Sequence, residues 1–311
     1  MRILNGIIPV VQTFFDQNGN IDKVSSLKHI KYLSKLKVGG FWVLGTGSED
    51  MNIIFSKRVE IAETLSSAKI KKPMILGCSF YSMEETIKFI KETGDLNFDA
   101  YHLMPYHPLL SLKQLTYLYE KVSDFTMTNF NKPLWLYSSA NWSRKIDFNF
   151  IENLSKKKSI CGIKYSTSNS PDQVKALQLN KNKFQVITAV MRQVLPSLIS
   201  GARAFTSSLG GAIPEPIIKL YNCFEKNDYK KALYYQRQIN NFLDKLPIDL
   251  KKDNFLSSAE EKYILKLRGI GNGLISNYYR MPNFSEKKVI KKSILKLYTE
   301  LGILNKFHIY N

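Results

Sequence analysis

The chain alternates between short apolar runs and longer segments with helical spacing. Eight short runs rich in β-branched and aromatic residues are predicted to be strands. They cover residues 6–12, 40–44, 73–78, 100–104, 134–137, 160–164, 184–188 and 204–207. Helices are predicted between them at residues 22–37, 56–69, 83–92, 112–125, 148–156, 171–179 and 192–200. Strands separated in this way are expected to be parallel and joined by right-handed crossovers.

After Pro214 the apolar spacing becomes wholly helical, at residues 216–224, 229–246, 259–267 and 285–301. Eight β/α units either close into a barrel or remain an open, doubly wound sheet. The first strand is followed by no Gly-x-Gly-x-x-Gly turn, and the chain has no Walker loop, so the barrel is favoured. We therefore predict an α/β fold, a (β/α)8 TIM barrel catalytic domain at residues 1–225 with a C-terminal helical domain at residues 226–311.

The formal net charge of +19 raises the question of a nucleic acid or an anionic membrane as a partner. The lysine runs, such as Lys156-Lys157-Lys158, lie at predicted helix ends or in loops and lack interleaved aromatic residues. A solvated surface is therefore favoured, and neither nucleic acid nor membrane is predicted as a partner. Attraction of an anionic substrate is the weaker alternative.

Cysteine and histidine usage bears on location and on metals. The three cysteines, Cys78, Cys161 and Cys223, are widely separated and form no Cys-x-x-Cys pair, which indicates a reduced, cytoplasmic setting. The four histidines form no close cluster with carboxylates, so no metal site is predicted. The apolar residues 6–15 are interrupted by Pro9 and fit a first strand better than a signal peptide.

In a barrel, catalytic residues lie at the carboxyl ends of the strands. Gly45-Thr46-Gly47-Ser48-Glu49 follows the second strand, and its glycines would let the backbone approach an anion with exposed N–H groups. The same residues also fit a simple loop with a helix N-cap at Ser48. Pro105-Tyr106-His107-Pro108, after the fourth strand, offers a phenol and an imidazole, although such a loop also fits a packing role.

The strongest single candidate is Lys164, at the end of the sixth strand. A buried lysine is costly unless it is neutral, and burial lowers the pKa of an amine toward the range in which it attacks a ketone. The alternative is that Lys164 lies beyond the strand and extends its ammonium to solvent. Tyr137, at the end of the fifth strand, either offers its hydroxyl to the barrel mouth or satisfies a hydrogen bond in the core.

These motifs, in this order, resemble the dihydrodipicolinate synthase and N-acetylneuraminate lyase family of class I aldolases, over nearly the whole chain. Gly45-Thr46-Gly47-Ser48-Glu49 is similar to the family's Gly-Thr-Thr-Gly-Glu, and Pro105-Tyr106-His107 to its Pro-Tyr-Tyr. Tyr137-Ser138 resembles Tyr-Asn, and Gly162-Ile163-Lys164 resembles Gly-Ile-Lys. Arg280-Met281-Pro282 is similar to Arg-Pro-Pro.

The resemblance implies that Lys164 forms an imine with pyruvate or another 2-oxo acid. It also implies that Tyr137 transfers protons, with Thr46 in the same relay. The backbone N–H groups of Gly47 and Ser48 would then bind the carboxylate of the substrate. Because the covalent lysine supplies the electron sink, no cofactor and no metal are expected.

Further candidates for substrate binding are Tyr106, His107 and Thr206. Family members are commonly homo-oligomers in which the loop after strand four is presented across an interface. We therefore expect a dimer or tetramer of this chain and a small 2-oxo acid as its ligand.

The sequence departs from the family pattern at four places. Gly47 replaces the second Thr of the loop, and His107 stands where the synthases have a relay tyrosine. Trp142 stands where the synthases have an Arg that grips the aldehyde substrate. Met191-Arg192 stands where the sialic acid lyases have an Asp-Glu pair. These changes argue against both named activities. Arg192 is predicted to bind a different, acidic substrate, and the alternative is that it begins a helix and extends its side chain into solvent.

The leading functional prediction is a Schiff-base aldolase or lyase that breaks or forms a C–C bond with pyruvate or a related 2-oxo acid. One alternative keeps the imine but eliminates water, as in 2-keto-3-deoxy sugar-acid dehydratases, and product analysis separates the two. A second alternative is dihydrodipicolinate synthase activity, and a third is a catalytically silent protein with a binding role.

Overall fold

The computed structural model describes residues 3–107, 109–139, 143–180, 183–254 and 258–307. Eight strands close into a barrel in the order β1 to β8. Their bounds are β1 Gly6–Val11, β2 Phe41–Val43, β3 Met74–Gly77, β4 Ala100–Leu103, β5 Leu134–Ser139, β6 Ile160–Ser166, β7 Gln185–Thr188 and β8 Ala204–Ser207. Neighbouring strands from β2 to β8 pair in parallel. The predicted barrel and all eight predicted strands are confirmed.

The strand connections are helical, as the spacing of apolar residues predicts. The helices are α1 Lys23–Ser34, α2 Phe55–Ser67, α3 Met83–Thr93, α4 Leu112–Phe130, α5 Phe148–Ser155, α6 Ser170–Leu177 and α7 Val194–Ile199. Several begin at a polar N-cap whose side chain accepts a backbone N–H of the first turn, including Asp22, Ser82, Ser111 and Asp147. The segment predicted as one helix at 192–200 is a 3-10 turn, Met191–Gln193, followed by α7.

The part after β8 is helical as predicted. Its helices are α8 Leu209–Ala212, α9 Pro214–Glu225, α10 Tyr229–Asp244, α11 Ile248–Asp253, α12 Ser258–Leu267 and α13 Phe284–Glu300. The sequence pattern does not predict α8 and α11, because four and six residues are too few to show a helical repeat. No helix in the described part of the chain is long and apolar enough to cross a membrane.

The chain divides into two compact units. One consists of Met1–Ile8, Gly39–Val43 and Lys71–Thr206, and the other of Pro9–Val38, Leu44–Ile70 and Ser207–Asn311. The first unit contains β2 to β7, and every residue of β2, β3, β4 and β5 in it is buried. Continuous burial is expected for parallel strands, because both faces of the sheet are covered. The division into domains at residues 1–225 and 226–311 stays a prediction.

The core of the second unit includes a buried ion pair. Arg268, directly after α12, donates to Glu215 on α9 at 2.8 Å and to Tyr298 on α13 at 2.5 Å. It also donates to Tyr32 on α1 at 2.9 Å. A buried charge is tolerated only when it is paired and hydrogen-bonded, and here both conditions hold. This network fixes four helices of the unit relative to one another.

Candidate active site

Lys164 lies inside strand β6 and is only 6% exposed. The alternative of a lysine beyond the strand with its ammonium in solvent is therefore wrong. The strand register places Lys164 directly beside Tyr137 of β5 and Ile187 of β7. Paired residues of neighbouring strands point to the same face of a sheet, so the lysine and the tyrosine share one face.

Tyr137 is in direct contact with this lysine. The Lys164 Nζ lies 3.8 Å from the centroid of the Tyr137 ring, and the tyrosine is 2% exposed. The two predicted residues are thus brought together by adjacent strands rather than by a loop. An amine held against a phenol has a proton donor and acceptor at hand when it reacts with a carbonyl group.

An aromatic cluster lies beside this pair. Trp42 of β2 stacks on His102 of β4, with ring centroids 4.2 Å apart and an angle of 18° between the planes. The Lys164 Nζ lies 5.4 Å from the Trp42 ring, and the Tyr137 ring meets both Trp42 and His102 edge-on. The sequence pattern does not single out Trp42 or His102. Both lie in runs of apolar residues, where nothing distinguishes them from core residues.

His102 is held as a neutral imidazole. Its Nε2 lies 2.9 Å from the carbonyl oxygen of Val43, and because a carbonyl only accepts, Nε2 carries the hydrogen. Burial above all, and then the charge of Lys164, hold the pKa of His102 well below its usual value of 6.5. The remaining nitrogen, Nδ1, is buried without a hydrogen-bond partner in the part of the chain that the structure describes.

Gly162 makes room for this cluster. A Cβ atom at Gly162 would lie 2.5 Å from the Trp135 ring and 2.4 Å from the carbonyl oxygen of Gln185. Trp135 in turn meets Trp42 edge-on, with centroids 6.2 Å apart. The glycine two residues before Lys164 is therefore required by the side chain and backbone of its two neighbouring strands.

Thr206, a predicted substrate-binding residue, lies in strand β8 and is completely buried. Its hydroxyl makes no hydrogen bond within the described ranges, and the same holds for Thr188 at the end of β7. A buried hydroxyl without a partner is uncommon in folded proteins. Both strands therefore carry a polar group that is available to a ligand.

The loop after β2 forms a tight turn. Gly45 is followed by a 3-10 turn, Thr46–Ser48. The Ser48 N–H donates to the Gly45 carbonyl at 2.8 Å, and the Ser48 hydroxyl donates to the same oxygen and accepts from the Gly45 N–H. Ser48 is thus fully used in shaping the turn and is no N-cap of a longer helix. Binding of a ligand by its N–H requires the bond to Gly45 to be shared.

The Gly47 N–H, in contrast, makes no hydrogen bond to any residue that the structure describes. The residues that flank the turn, Leu44 and Glu49, have left-handed backbone angles, with φ of 52° and 64°. Such angles are unfavourable for residues other than glycine and persist only where the surroundings impose them. The turn is therefore held in one conformation at both ends.

Gly47 is the residue at which the loop departs from the family pattern, and the structure explains the departure. A Cβ atom at Gly47 would lie 2.7 Å from the Cβ of Ser208. A threonine at this position would collide with Ser208, so the missing hydroxyl follows from the space that Ser208 occupies.

The segment after β4 places Tyr106 and His107 differently. Tyr106 is 5% exposed, whereas His107 is half-buried and lines a groove of about 470 Å³. Tyr81 flanks both rings, at 6.4 Å from Tyr106 and 6.5 Å from His107. Pro108 of the same predicted motif lies outside the described residues.

Arg192 lies in the 3-10 turn that follows β7, and its side chain is exposed, whereas the neighbouring Met191 is buried. The structure thus places the planar cation at the carboxyl end of a barrel strand with its side chain exposed, and a role of Arg192 in substrate binding stays a prediction. Trp142, which also departs from the family pattern, lies outside the described residues. Within the described part of the chain, no group of three His, Cys, Asp or Glu side chains could hold a metal ion.

Comparison with known proteins agrees with this geometry. The Dihydrodipicolinate synthetase family profile matches residues 3–296. A 4-hydroxy-tetrahydrodipicolinate synthase 2 of Clostridium acetobutylicum is 23% identical over 95% of this chain and 99% of its own. A 2-dehydro-3-deoxy-D-gluconate/2-dehydro-3-deoxy-phosphogluconate aldolase of Picrophilus torridus is 24% identical over 86% of this chain and 98% of its own.

Solved structures share the fold. The wild-type sialic acid aldolase of Ruminococcus gnavus superposes with a TM-score of 0.87 at 19% identity, over 98% of this chain and 99% of its own. A prophage protein of the dihydrodipicolinic acid synthase family from Escherichia coli K12, in complex with pyruvate, gives 0.86 at 20% identity, over 95% and 99%.

The closed barrel, the buried lysine against a tyrosine and the family match together define a class I lyase, which acts through a Schiff base. The chain belongs to the dihydrodipicolinate synthetase family. The family, the fold and the class of enzyme predicted from the sequence are thereby confirmed.

Proposed function

We propose that this protein uses Lys164 to form an imine with pyruvate or a related 2-oxo acid and then breaks or forms a C–C bond next to it. The observation that carries the proposal is the contact of the buried Lys164 Nζ with the Tyr137 ring, 3.8 Å from its centroid. Burial disfavours the charged form of a lysine, and the neutral amine is the form that attacks a carbonyl group.

The chemistry follows from the amine. The Lys164 Nζ attacks the carbonyl carbon C2 of the acid, and loss of water gives a protonated imine. When the bond between C3 and C4 breaks, its electron pair moves into an enamine, and C3 then takes a proton. Bond formation is the same sequence in reverse. Water elimination is the competing outcome of the same imine, and the identity of the product distinguishes the two.

Tyr137 is the proton carrier in this proposal. Its hydroxyl protonates the departing oxygen of the first adduct and accepts a proton from the group that leaves as an aldehyde. Thr46 is assigned to the same relay from its place in the family motif. The side chain of Thr46 is buried, so its hydroxyl is shielded from bulk water.

The carboxylate of the 2-oxo acid is assigned to the loop after β2. The Gly47 N–H supports this assignment, because it makes no bond within the described part of the chain and belongs to a turn of fixed conformation. Ser48 contributes by shaping the turn and, where the bond to Gly45 is shared, by its own N–H. Anions are commonly bound by successive backbone N–H groups of this kind.

The remainder of the substrate is proposed to carry a second acidic group. Arg192 supports this, since it follows β7 and a guanidinium binds carboxylate or phosphate through paired hydrogen bonds. Thr206, with its unpartnered hydroxyl, is assigned to a polar group of the same substrate.

A second copy of the chain is proposed to cover the groove beside His107. Two large apolar side chains that line this groove are strongly exposed, Tyr81 at 63% and Tyr117 at 54%, and so is Leu109 at 82%, which precedes the lining residue Leu110. Exposed apolar groups in one region are typical of a protein interface. In this arrangement Tyr106 and His107 act next to the interface. Light scattering is expected to show a dimer or tetramer that Leu109→Glu weakens, whereas a monomeric wild type contradicts this assembly.

Borohydride reduction in the presence of pyruvate tests the imine. We expect a covalent adduct of reduced pyruvate on the intact protein, which peptide mapping assigns to Lys164. Lys164→Met is the matched variant, since it keeps the length and burial of the side chain but removes the amine. An adduct at another lysine, or none with any 2-oxo acid tested, contradicts the proposal.

A further inference from the structure

The first turns of helix α12 bury three consecutive charged residues. Glu260, Glu261 and Lys262 are each no more than 1% exposed. Charged side chains are almost never fully buried unless they are paired. Glu261 and Lys262 have partners, whereas neither carboxylate oxygen of Glu260 has a hydrogen-bond partner in the described residues. The partners of Glu261 and Lys262 therefore show what these two buried charges hold in place.

Glu261 connects two residues that are distant in the chain. Its Oε1 lies 2.7 Å from the Ser208 hydroxyl, and its Oε2 accepts from the Gln12 amide at 2.9 Å. Burial, and to a lesser extent the nearby charge of Glu260, raise the pKa of Glu261 well above its usual value of 4.5. The Ser208 hydroxyl donates to one oxygen of Glu261 and the Gln12 amide donates to the other, so the carboxyl group is hydrogen-bonded from both sides.

Ser208 in turn determines where Gly47 lies. The Ser208 Cβ is 2.7 Å from the position that a Cβ of Gly47 would take, so the serine packs directly on the glycine backbone. Ser208 itself is half-buried. A shift of Ser208 would therefore be transmitted to the peptide whose N–H is assigned to the substrate carboxylate.

Lys262, the next residue of α12, holds the C-terminal end of the same loop. Its Nζ is 2.5 Å from Glu49 Oε1, and both side chains are completely buried. Glu49 also accepts the backbone N–H of Ser276 at 2.6 Å. Glu49 has a left-handed backbone angle, which the ion pair helps to maintain. Two successive residues of one helix thus act on the same turn, Glu261 through Ser208 on its middle residue and Lys262 on its C-terminal end.

We propose that Glu261 is a positioning residue that, through Ser208, fixes Gly47 in the orientation needed to bind the carboxylate of the 2-oxo acid. This inference rests on the proposed function, because it assumes that the Gly47 N–H meets that carboxylate. It assigns Glu261 no contact with the reacting atoms. Gln12 is the residue that holds Glu261 from the opposite side.

The substitution Glu261→Leu tests the proposal, because it fills the same space but removes both hydrogen bonds. We expect the pyruvate concentration that gives half-maximal trapping at Lys164 to rise about tenfold, the effect of one hydrogen bond of ordinary strength. The trapping rate at saturating pyruvate is expected to stay within about twofold of wild type. Glu261→Gln keeps an oxygen that accepts from the Ser208 hydroxyl, and its amide can donate to the unpartnered Gln12 oxygen, so it is expected to restore wild-type half-saturation.

Glu260→Leu is the matched control, since it makes the same change one residue earlier in the same buried turn and removes no hydrogen bond. It is expected to leave half-saturation unchanged. An equal rise in Glu260→Leu and Glu261→Leu, or a rise in Glu261→Gln as large as in Glu261→Leu, overturns the proposal. Where Glu261→Leu does not fold, Ser208→Ala carries the test, because it keeps the Cβ contact with Gly47 but loses the bond to Glu261. Unchanged half-saturation in Ser208→Ala also overturns it.

Hydrogen exchange separates this proposal from the proposed function. The Ser48 and Glu49 amides donate within the turn, so their exchange rates report its conformation without any substrate. Faster exchange in Glu261→Leu, with wild-type rates in Glu261→Gln and Glu260→Leu, supports the positioning role even if no 2-oxo acid is trapped. Identical rates in all four proteins contradict it, whatever the outcome of trapping.

Discussion

Trp42 and His102 stack face to face inside the barrel, with the Lys164 amine 5.4 Å from the Trp42 ring. The stack buries the His102 imidazole close to Lys164, whose protonated amine would repel a second positive charge. The imidazole is therefore neutral, and its one hydrogen points to the Val43 carbonyl at the end of β2. His102 thus ties strand β4 to β2 next to the residue that is proposed to react.

The first prediction concerns the protonation of His102. Because its folded-state pKa lies well below the ordinary 6.5, we expect no titration of this imidazole between about pH 6 and pH 8. Nitrogen NMR of labelled histidine should show the Nε2–H form throughout this interval. The stability that His102 contributes is present above pH 6.5 and falls as acid protonates the unfolded chain more readily than the folded one. A titration of His102 near pH 6.5 contradicts this assignment.

The second prediction is that Tyr137→Phe keeps the ring against the Lys164 amine but removes the proton carrier. Turnover is expected to fall by roughly two to four orders of magnitude, while imine trapping stays detectable. Steady-state rates and borohydride trapping on the same preparation make the comparison. Near-normal turnover in Tyr137→Phe would show that another group carries the proton, with His107 the first candidate.

The third prediction concerns the substrate. We expect weak turnover of pyruvate with aspartate semialdehyde, because Trp142 stands where the synthases have an Arg. We expect weak turnover of N-acetylneuraminate, because Met191-Arg192 replaces the pair that marks the sialic acid lyases. Arg192→Ala should raise the Michaelis constant for the true acidic substrate without changing pyruvate trapping at Lys164, and Arg192→Lys should recover part of the loss. An unchanged Michaelis constant in Arg192→Ala assigns this residue to the protein surface.

The fourth prediction is that Gly162→Ala destabilises the barrel by about 1–3 kcal/mol, the usual range for overpacking a core. The added methyl group would lie within 2.5 Å of the Trp135 ring and of the Gln185 carbonyl oxygen. Urea unfolding at equilibrium measures the change. The double variant Gly162→Ala with Trp135→Phe should recover only part of the stability, because the backbone oxygen stays in place. Full recovery would show that the ring alone requires the glycine.

The fifth prediction concerns Glu260, whose pKa burial raises from 4.5 to about 7. The folded protein therefore binds a proton more tightly than the unfolded chain, and stability falls as the pH rises from about 4.5 to about 7. This pKa shift corresponds to a decrease in the free energy of unfolding on the order of 3 kcal/mol above that pH range. Glu260→Gln should remove the part of this dependence that Glu260 contributes, leave the part that Glu261 contributes, and be the more stable protein at pH 8, as thermal unfolding can show.

Glu63→Gln, at an exposed position of helix α2, is the control for the fifth prediction. It removes a carboxylate from the surface and is expected to leave the pH dependence of stability as in the wild type. If the two variants behave alike, Glu260 does not carry the effect.

Much of the fold followed from the sequence, because each parallel strand is a short apolar run that a helix separates from the next. Lys164 was predictable for the same reason, since a lysine stands out in such a run. Trp42 and His102 were not, because an aromatic residue in an apolar strand has no mark of function until its neighbours are known. Their contact joins strands β2 and β4, which are distant in the sequence.

The buried charges of α12 could not have been predicted. In the sequence, Glu260, Glu261 and Lys262 have the pattern of a solvated first helical turn, with acidic residues near the N-terminus. Their burial depends on partners that are distant in the chain. Glu261 bonds to Ser208, 53 residues away, and to Gln12, 249 residues away, and Lys262 pairs with Glu49. Local spacing carries no information on partners so remote.

The crowding between Gly47 and Ser208 also bears on how such a loop can change over evolution. Restoring the second threonine of the family motif at position 47 places a side chain where Ser208 already stands, so the single substitution is obstructed. Removing the serine side chain first clears the space but breaks the hydrogen bond to Glu261. The order of substitutions therefore matters, and these positions are expected to constrain one another as an epistatic set in any lineage that carries this loop.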